Sequence, residues 1–130
     1  MPELNGFSHL ALTVRDLGRS SKFYAELFGL QEVINTPDLF IGMEPKNMMM
    51  FGLRTHDGQS TDEFTHLNTG MDHVGFAVND HAELEKWQAR LDELGVKFTP
   101  IEKTQFGYHL NFRDPDNIPL EFFTMEQQQG

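Results

Sequence analysis

With 130 residues the chain has the length of one domain, and 38% hydrophobic residues suffice for a packed core without staples. It has no cysteine, which excludes disulfides, thiolate ligands and a cysteine nucleophile and leaves histidine and carboxylate as metal donors. Ten Lys and Arg against twenty Asp and Glu give a formal charge of −10, which argues against nucleic acid or anionic lipid as partner and leaves room for a cation.

The first expected element is a strand over 7–14, in which Leu10, Leu12 and Val14 alternate with His9, Ala11 and Thr13. Asp16 can cap a following helix whose apolar stripe is Leu17, Phe23, Tyr24, Leu27 and Phe28, with Gly29 as its left-handed stop. Residues 31–36, 40–44 and 48–54 read as three strands separated by Pro37-Asp38 and Pro45-Lys46-Asn47. Module one, 6–54, is thus βαβββ. Residues 55–70 are polar and without a period, and read as a linker.

Module two, 71–124, repeats the plan. His73–Asn79 is its first strand, and Asp80-His81-Ala82-Glu83 has the form of a capping box for a helix that runs to Leu94 and stops at Gly95. Strands over 96–101, 108–113 and 119–124 follow, with Asp114-Pro115-Asp116-Asn117 as the turn between the last two. The tail, 125–130, is expected to fray. The start of the chain has neither a basic segment nor an apolar run, and no stretch approaches the roughly 18 apolar residues of a membrane span. A single cytoplasmic domain is expected, α+β in class.

The two modules share more than a plan. Phe7-Ser8-His9-Leu10-Ala11-Leu12-Thr13-Val14-Arg15-Asp16 recurs as Met71-Asp72-His73-Val74-Gly75-Phe76-Ala77-Val78-Asn79-Asp80, and such a repeat fixes architecture. Each sheet carries a helix on one face, so the cheapest cover for the other is the second sheet, curled into a half-open barrel around a cavity. Leu10, Leu12, Val14, Val74, Phe76 and Val78 then face the helices. His9 and His73 face the cavity, beside Ala11, Gly75 and Ala77.

The last strand, Pro119-Leu120-Glu121-Phe122-Phe123-Thr124, sets a carboxylate among apolar residues, and burying it unpaired would cost several kcal/mol. A divalent cation shared with His9 and His73 would satisfy it, as two imidazoles and a carboxylate leave metal positions open for substrate. The plainer alternative is a solvated Glu at a strand end and two ordinary strand histidines. On the penultimate strand, His109 and Asn111 share a face beside Glu121 and suit a proton carrier and a hydrogen-bond donor. Met48, Met50 and Arg54 would line the facing wall as substrate contacts, although methionine more often fills a core. His56, His66 and His81 read as loop or surface residues.

The paired modules and the segment Phe112-Arg113-Asp114-Pro115-Asp116-Asn117-Ile118-Pro119-Leu120-Glu121 resemble the vicinal oxygen chelate superfamily, which includes glyoxalase I, bleomycin-resistance proteins, fosfomycin-resistance thiol transferases and extradiol dioxygenases. The resemblance spans residues 6–124. It implies one divalent metal held by His9, His73 and Glu121, and a small organic substrate bound to that metal through its oxygens. The reaction would then be of lyase, isomerase or dioxygenase type. The same resemblance allows a bleomycin-resistance-like binder that sequesters a small, possibly cationic, drug or metabolite. It also implies a homodimer, which would cover bare sheet edges.

Three departures narrow these implications. Gly52 stands where glyoxalase I takes a further carboxylate. Asn111 stands where extradiol dioxygenases usually place a Tyr. No basic cluster for a phosphonate is evident.

Overall fold

In the computed structural model, which describes residues 1–126, the chain divides within the segment 55–70, with one unit spanning Met1–Asp62 and a second beginning at Glu63. Unit one comprises β1 (His9–Thr13), α1 (Leu17–Phe28), β2 (Gln31–Asn35), β3 (Leu39–Glu44) and β4 (Met49–Arg54). Its sheet has the order β1-β4-β3-β2, with β1 parallel to β4 and the other pairs antiparallel. Alternation explains which face is covered. Leu12, Phe40, Phe51 and Leu53 are buried with Tyr24 and Leu27 of α1, and Tyr24 meets Phe51 at 4.7 Å between ring centroids. Asp16 caps α1 by accepting from the Arg19 amide at 3.0 Å, and Gly29 ends it at φ +64°.

Unit two repeats this topology with β5 (Val74–Ala77), α2 (His81–Glu93), β6 (Phe98–Thr104), β7 (Gly107–Arg113) and β8 (Pro119–Thr124), ordered β5-β8-β7-β6. Leu84 and Leu91 of α2 are buried with Leu110, Phe112, Leu120 and Phe122, and Trp87 stacks on Phe122 at 4.3 Å. The chain is therefore α+β, with two four-stranded mixed sheets, each open at both edges and each bearing one helix. Among the described residues no helix is long and apolar enough to cross a membrane.

Several boundaries differ from the sequence expectation, each for a local reason. β1 begins at His9 because its first partner is Met50; Phe7 is fully exposed. Met48 does not belong to β4: it sits in the preceding turn with φ +55°. β6 starts later and runs through Glu102 and Lys103, charges that suit an exposed edge strand. It carries a register shift between Thr99 and Glu102, where Pro100 has no amide to give to the ladder. Only half of the expected capping box forms: Asp80 accepts from the Glu83 amide at 2.9 Å, while the Glu83 carboxylate turns to Lys86 at 2.7 Å. Glu126 instead satisfies a different amide of the helix start, taking that of His81 at 2.6 Å. Residues 127–130 of the expected frayed tail lie outside the described residues.

Gly107 opens β7 at φ +144°, and a Cβ there would overlap the Thr124 carbonyl oxygen of β8. Backbone cannot yield as a flexible side chain can, and the conformation itself is strained for an L residue. Gly107→Ala is expected to destabilise unit two by about 3 kcal/mol or more, measured as a lowered midpoint in urea unfolding.

Candidate functional site

Three rungs cross the uncovered face of the unit-two sheet. Gly75 pairs with Glu121, Glu121 with Asn111, and Asn111 with Thr99; one step along, Ala77, Phe123, His109 and Glu102 form the next rung. Arg113 opposite Pro119 marks the third. Because side chains of one strand alternate between faces, these positions share the face away from Leu110, Phe112, Leu120 and Phe122. The face forms a concavity of about 630 Å³, whose lining includes His73, His109, Asn111 and Glu121. His73 directly precedes β5, two residues before Gly75, and so opens onto this face.

Glu121 is half-buried at its centre. Its Oε1 lies 3.5 Å from His73 Nε2 and its Oε2 lies 3.7 Å from His109 Nδ1. Gly75 makes this seating possible, since a Cβ at that position would stand 3.2 Å from Oε1. The other nitrogen of His73, Nδ1, is 2.6 Å from Asp72 Oδ1. A carboxylate on Nδ1 fixes ring orientation and presents Nε2 to an electrophile, the usual support of a metal-bound imidazole. Hydrogen bonding to Asp72 raises the His73 pKa above its ordinary value, partial burial opposes the rise, and the Glu121 carboxylate adds to it. Asp72 is correspondingly held below its ordinary value by the same bond.

The donor set fits a divalent cation. Metal to nitrogen or oxygen distances near 2.1 Å place two ligand atoms roughly 3.0–3.4 Å apart at bond angles of ~90–110°. The His73 Nε2 to Glu121 Oε1 gap of 3.5 Å is close to that spacing. Among the described residues no group of three or more His, Asp or Glu side chains is gathered as a metal-holding cluster. Unit two itself supplies the pair.

His109 is one rung away, with 17% of its side chain exposed. Asn111 Nδ2 lies 2.8 Å from His109 Nδ1; an amide nitrogen only donates, so Nδ1 accepts and the ring proton sits on Nε2. That Nε2 is buried without a hydrogen-bond partner among the described residues, 3.6 Å from Glu102 Oε2. Unsatisfied buried donors are rare and costly enough to need a reason.

In unit one the equivalent rungs carry different chemistry. His9 pairs with Met50, Ala11 with Gly52, and Thr13 with Arg54, so these six share one face. His9 is exposed, with the Ser8 hydroxyl 2.9 Å from its Nδ1, the counterpart of Asp72 beside His73. Gly52 occupies the rung position that Glu121 holds in unit two, and Ile41 stands opposite it where Asn111 stands opposite Glu121. Met50 and Arg54 lie on this face, half-buried and exposed respectively, while Met48 is 68% exposed in its turn.

A family model described as the Glyoxalase/Bleomycin resistance protein/Dioxygenase superfamily matches residues 6–122. The chain belongs to this superfamily. Over 96% of its length it is 25% identical to the fosfomycin resistance protein FosX of Listeria monocytogenes serovar 1/2a, of which 95% is covered. FosX of Listeria innocua serovar 6a is 28% identical with the same coverage. Among solved structures, the glyoxylase/bleomycin resistance protein/dioxygenase domain from Frankia sp. EAN1pec is similar with a TM-score of 0.82 and 38% identity, covering 93% of this chain and 98% of that one. A FosX mutant from Listeria monocytogenes in complex with Mn(II) and 1S,2S-dihydroxypropylphosphonic acid shares the fold, with a TM-score of 0.71, 21% identity, and 93% and 90% coverage.

The superfamily's Asp-Pro-Asp-Asn segment proves structural here. Asp114 Oδ1 accepts from the amides of Asp116 at 2.8 Å and Ile118 at 2.9 Å, and Asn117 takes φ +68°. The turn sets the register that puts Asn111 opposite Glu121. It also fastens the preceding loop: the Phe64 amide donates to Asp116 O at 2.9 Å and Asn117 Nδ2 donates to Phe64 O at 3.3 Å. His66, expected only as a loop residue, is thereby carried to the lining of the concavity. The one sequence signal was proximity in chain to Asp72 and His73, since a loop closed by a distant turn has no local signature.

Gly75→Ala tests the seating of Glu121. A methyl group 3.2 Å from Oε1 forces the carboxylate aside without touching backbone, so metal affinity is expected to fall about tenfold or more while the thermal midpoint shifts little. Unchanged affinity in a calorimetric titration would show that Glu121 needs no such cradle.

Proposed function

We propose that the protein is a metal-dependent enzyme of the superfamily, acting on a small organic substrate that presents two oxygens. His73 and Glu121 would hold one divalent cation, with His9 completing the set from module one of the same chain or of a second copy in a homodimer. Bound there, the cation would act as a Lewis acid toward the substrate oxygens, or would activate dioxygen if it were iron. His109 would exchange a proton with the substrate at Nδ1, the nitrogen nearest Glu121, when the substrate takes over the Asn111 amide, and Asn111 would orient both the imidazole and the substrate. Met48, Met50 and Arg54 would contribute substrate contacts from module one.

The observation that carries this reading is the Glu121 carboxylate flanked by two imidazoles, seated over Gly75 and backed by the bond from Asp72 to His73. The matching pair of Ser8 and His9 supports a role for His9. The Mn(II) complex of the FosX relative supports a divalent ion, and fosfomycin belongs in the first substrate panel because two relatives bear its name.

The test is elemental analysis of protein purified without chelator, followed by turnover of fosfomycin, hemithioacetals and catechols before and after chelation. About one metal per pair of modules and activity restored by metal alone are expected. Normal turnover by the metal-free protein would overturn the reading.

A further inference from the structure

The unit-two concavity has a second charged element. Phe98 pairs with Phe112 and Thr99 with Asn111; Lys97 directly precedes β6 and Arg113 ends β7, each one residue beyond the Phe98–Phe112 pair. Both line the concavity, on the rung next to that of Glu121 and Asn111. Sequence inspection misses this pair because its members are separated by a whole hairpin.

These two cations have no counter-charge among the described residues. Among the described residues neither Lys97 nor Arg113 forms an ion pair; Arg113 Nη1 donates only to the Asn117 carbonyl oxygen at 3.2 Å. The chain has twenty acidic residues against ten basic ones, so unpaired cations side by side run against its composition. The acidic groups that share the lining lie nearer other partners, Asp72 Oδ1 at 2.6 Å from His73 Nδ1 and Glu121 Oε1 at 3.5 Å from His73 Nε2.

We infer that Lys97 and Arg113 form an anion subsite, so that the substrate of the proposed enzyme is an organic acid, a carboxylate or a phosphonate or phosphate ester. This rests on the proposed function for the position of the reacting end. Arg113 lies two residues, about 7 Å, along β7 from Asn111, which leaves a few bonds between the acid group and the oxygens that face Glu121. The Arg113 fork suits two acid oxygens, and Lys97 adds a point charge. The Thr99 hydroxyl shares their face. A cation held by His73 and Glu121 would offset the nearby carboxylate and tighten anion binding.

The test is an amide NMR titration of the purified protein, first metal-free and then with zinc, using methylphosphonate, acetate and neutral acetamide. Saturable shifts at residues 97–99 and 111–113 are expected with the acids and not with acetamide, and weakening in about 0.5 M NaCl. Lys97→Gln with Arg113→Gln should raise the dissociation constant about tenfold or more; both side chains are exposed, so the fold should hold. The preferred acid identifies carboxylate or phosphonate chemistry. Equal shifts with acetamide, indifference to salt, or unchanged affinity in the double variant would overturn the subsite. Anion binding by the metal-free protein stands even if no metal binds, so the two readings fail separately.

Discussion

Glu121→Ala is expected to lower the affinity for a divalent metal by well over 100-fold, because it removes a proposed ligand and not merely the support of one. Asp72→Ala, which removes only the Nδ1 partner of His73, should cost about 10–100-fold, the usual worth of such a supporting group. The order of the two losses matters more than either value. Neither substitution is expected to unfold the protein, because Asp72 is exposed and Glu121 projects away from the Leu120 and Phe122 core. Competition titration against a chromophoric chelator would measure the affinities, with circular dichroism melting as the control. Stoichiometric metal retained by a variant with His9, His73 and Glu121 all replaced by alanine would dismiss the assignment.

The fold was legible because two periods coincide with a repeat. Leu10, Leu12 and Val14, and again Val74, Phe76 and Val78, advertise half-covered strands, and Asp16 and Gly29 bracket α1 as capping chemistry requires. What escaped was set by pairing partners at a distance. Phe7 looks like strand but has no partner, and Glu102 and Lys103 look like loop but lie in an edge strand. The second acceptor at the α2 start comes from Glu126, 45 residues away in sequence, and no local pattern announces it.

For the site, residue type and strand face were readable, and register and rotamers were not. Alternation placed Glu121, His109 and Asn111 on one face, and ladder register then set Asn111 directly opposite Glu121. The direct bond from Asn111 to His109 could not be foreseen, since it depends on how two neighbouring side chains bend toward each other along one strand. Nor could the role of Gly75, which reads as a weak strand residue until Glu121 is seen to fill its missing side chain. The Gly52 and Glu121 contrast shows how a duplication diverges. The same rung carries Glu121 in one copy and Gly52 in the other, so the proposed metal centre would draw its carboxylate from unit two alone.

His109→Ala is expected to leave metal content unchanged and to reduce turnover by about 10² to 10⁴, the usual contribution of a general acid or base. The reasoning starts from its two nitrogens. Nδ1 accepts from Asn111 and stands 3.7 Å from Glu121 Oε2, so Asn111 orients the ring beside the proposed metal ligands. Nε2 carries a proton and has no hydrogen-bond partner among the described residues, a cost that a core histidine would normally avoid. Histidine is also the side chain whose ordinary titration falls near neutral pH. Asn111→Ala should weaken turnover less, because the imidazole remains. A binding protein would respond otherwise: the same substitutions would shift ligand affinity by about 1 kcal/mol, one hydrogen bond's worth, and removal of the metal would scarcely matter. Steady-state kinetics with and without added imidazole separate the cases, since exogenous imidazole should partly restore the His109→Ala enzyme. Undiminished turnover by that variant would remove His109 from proton transfer.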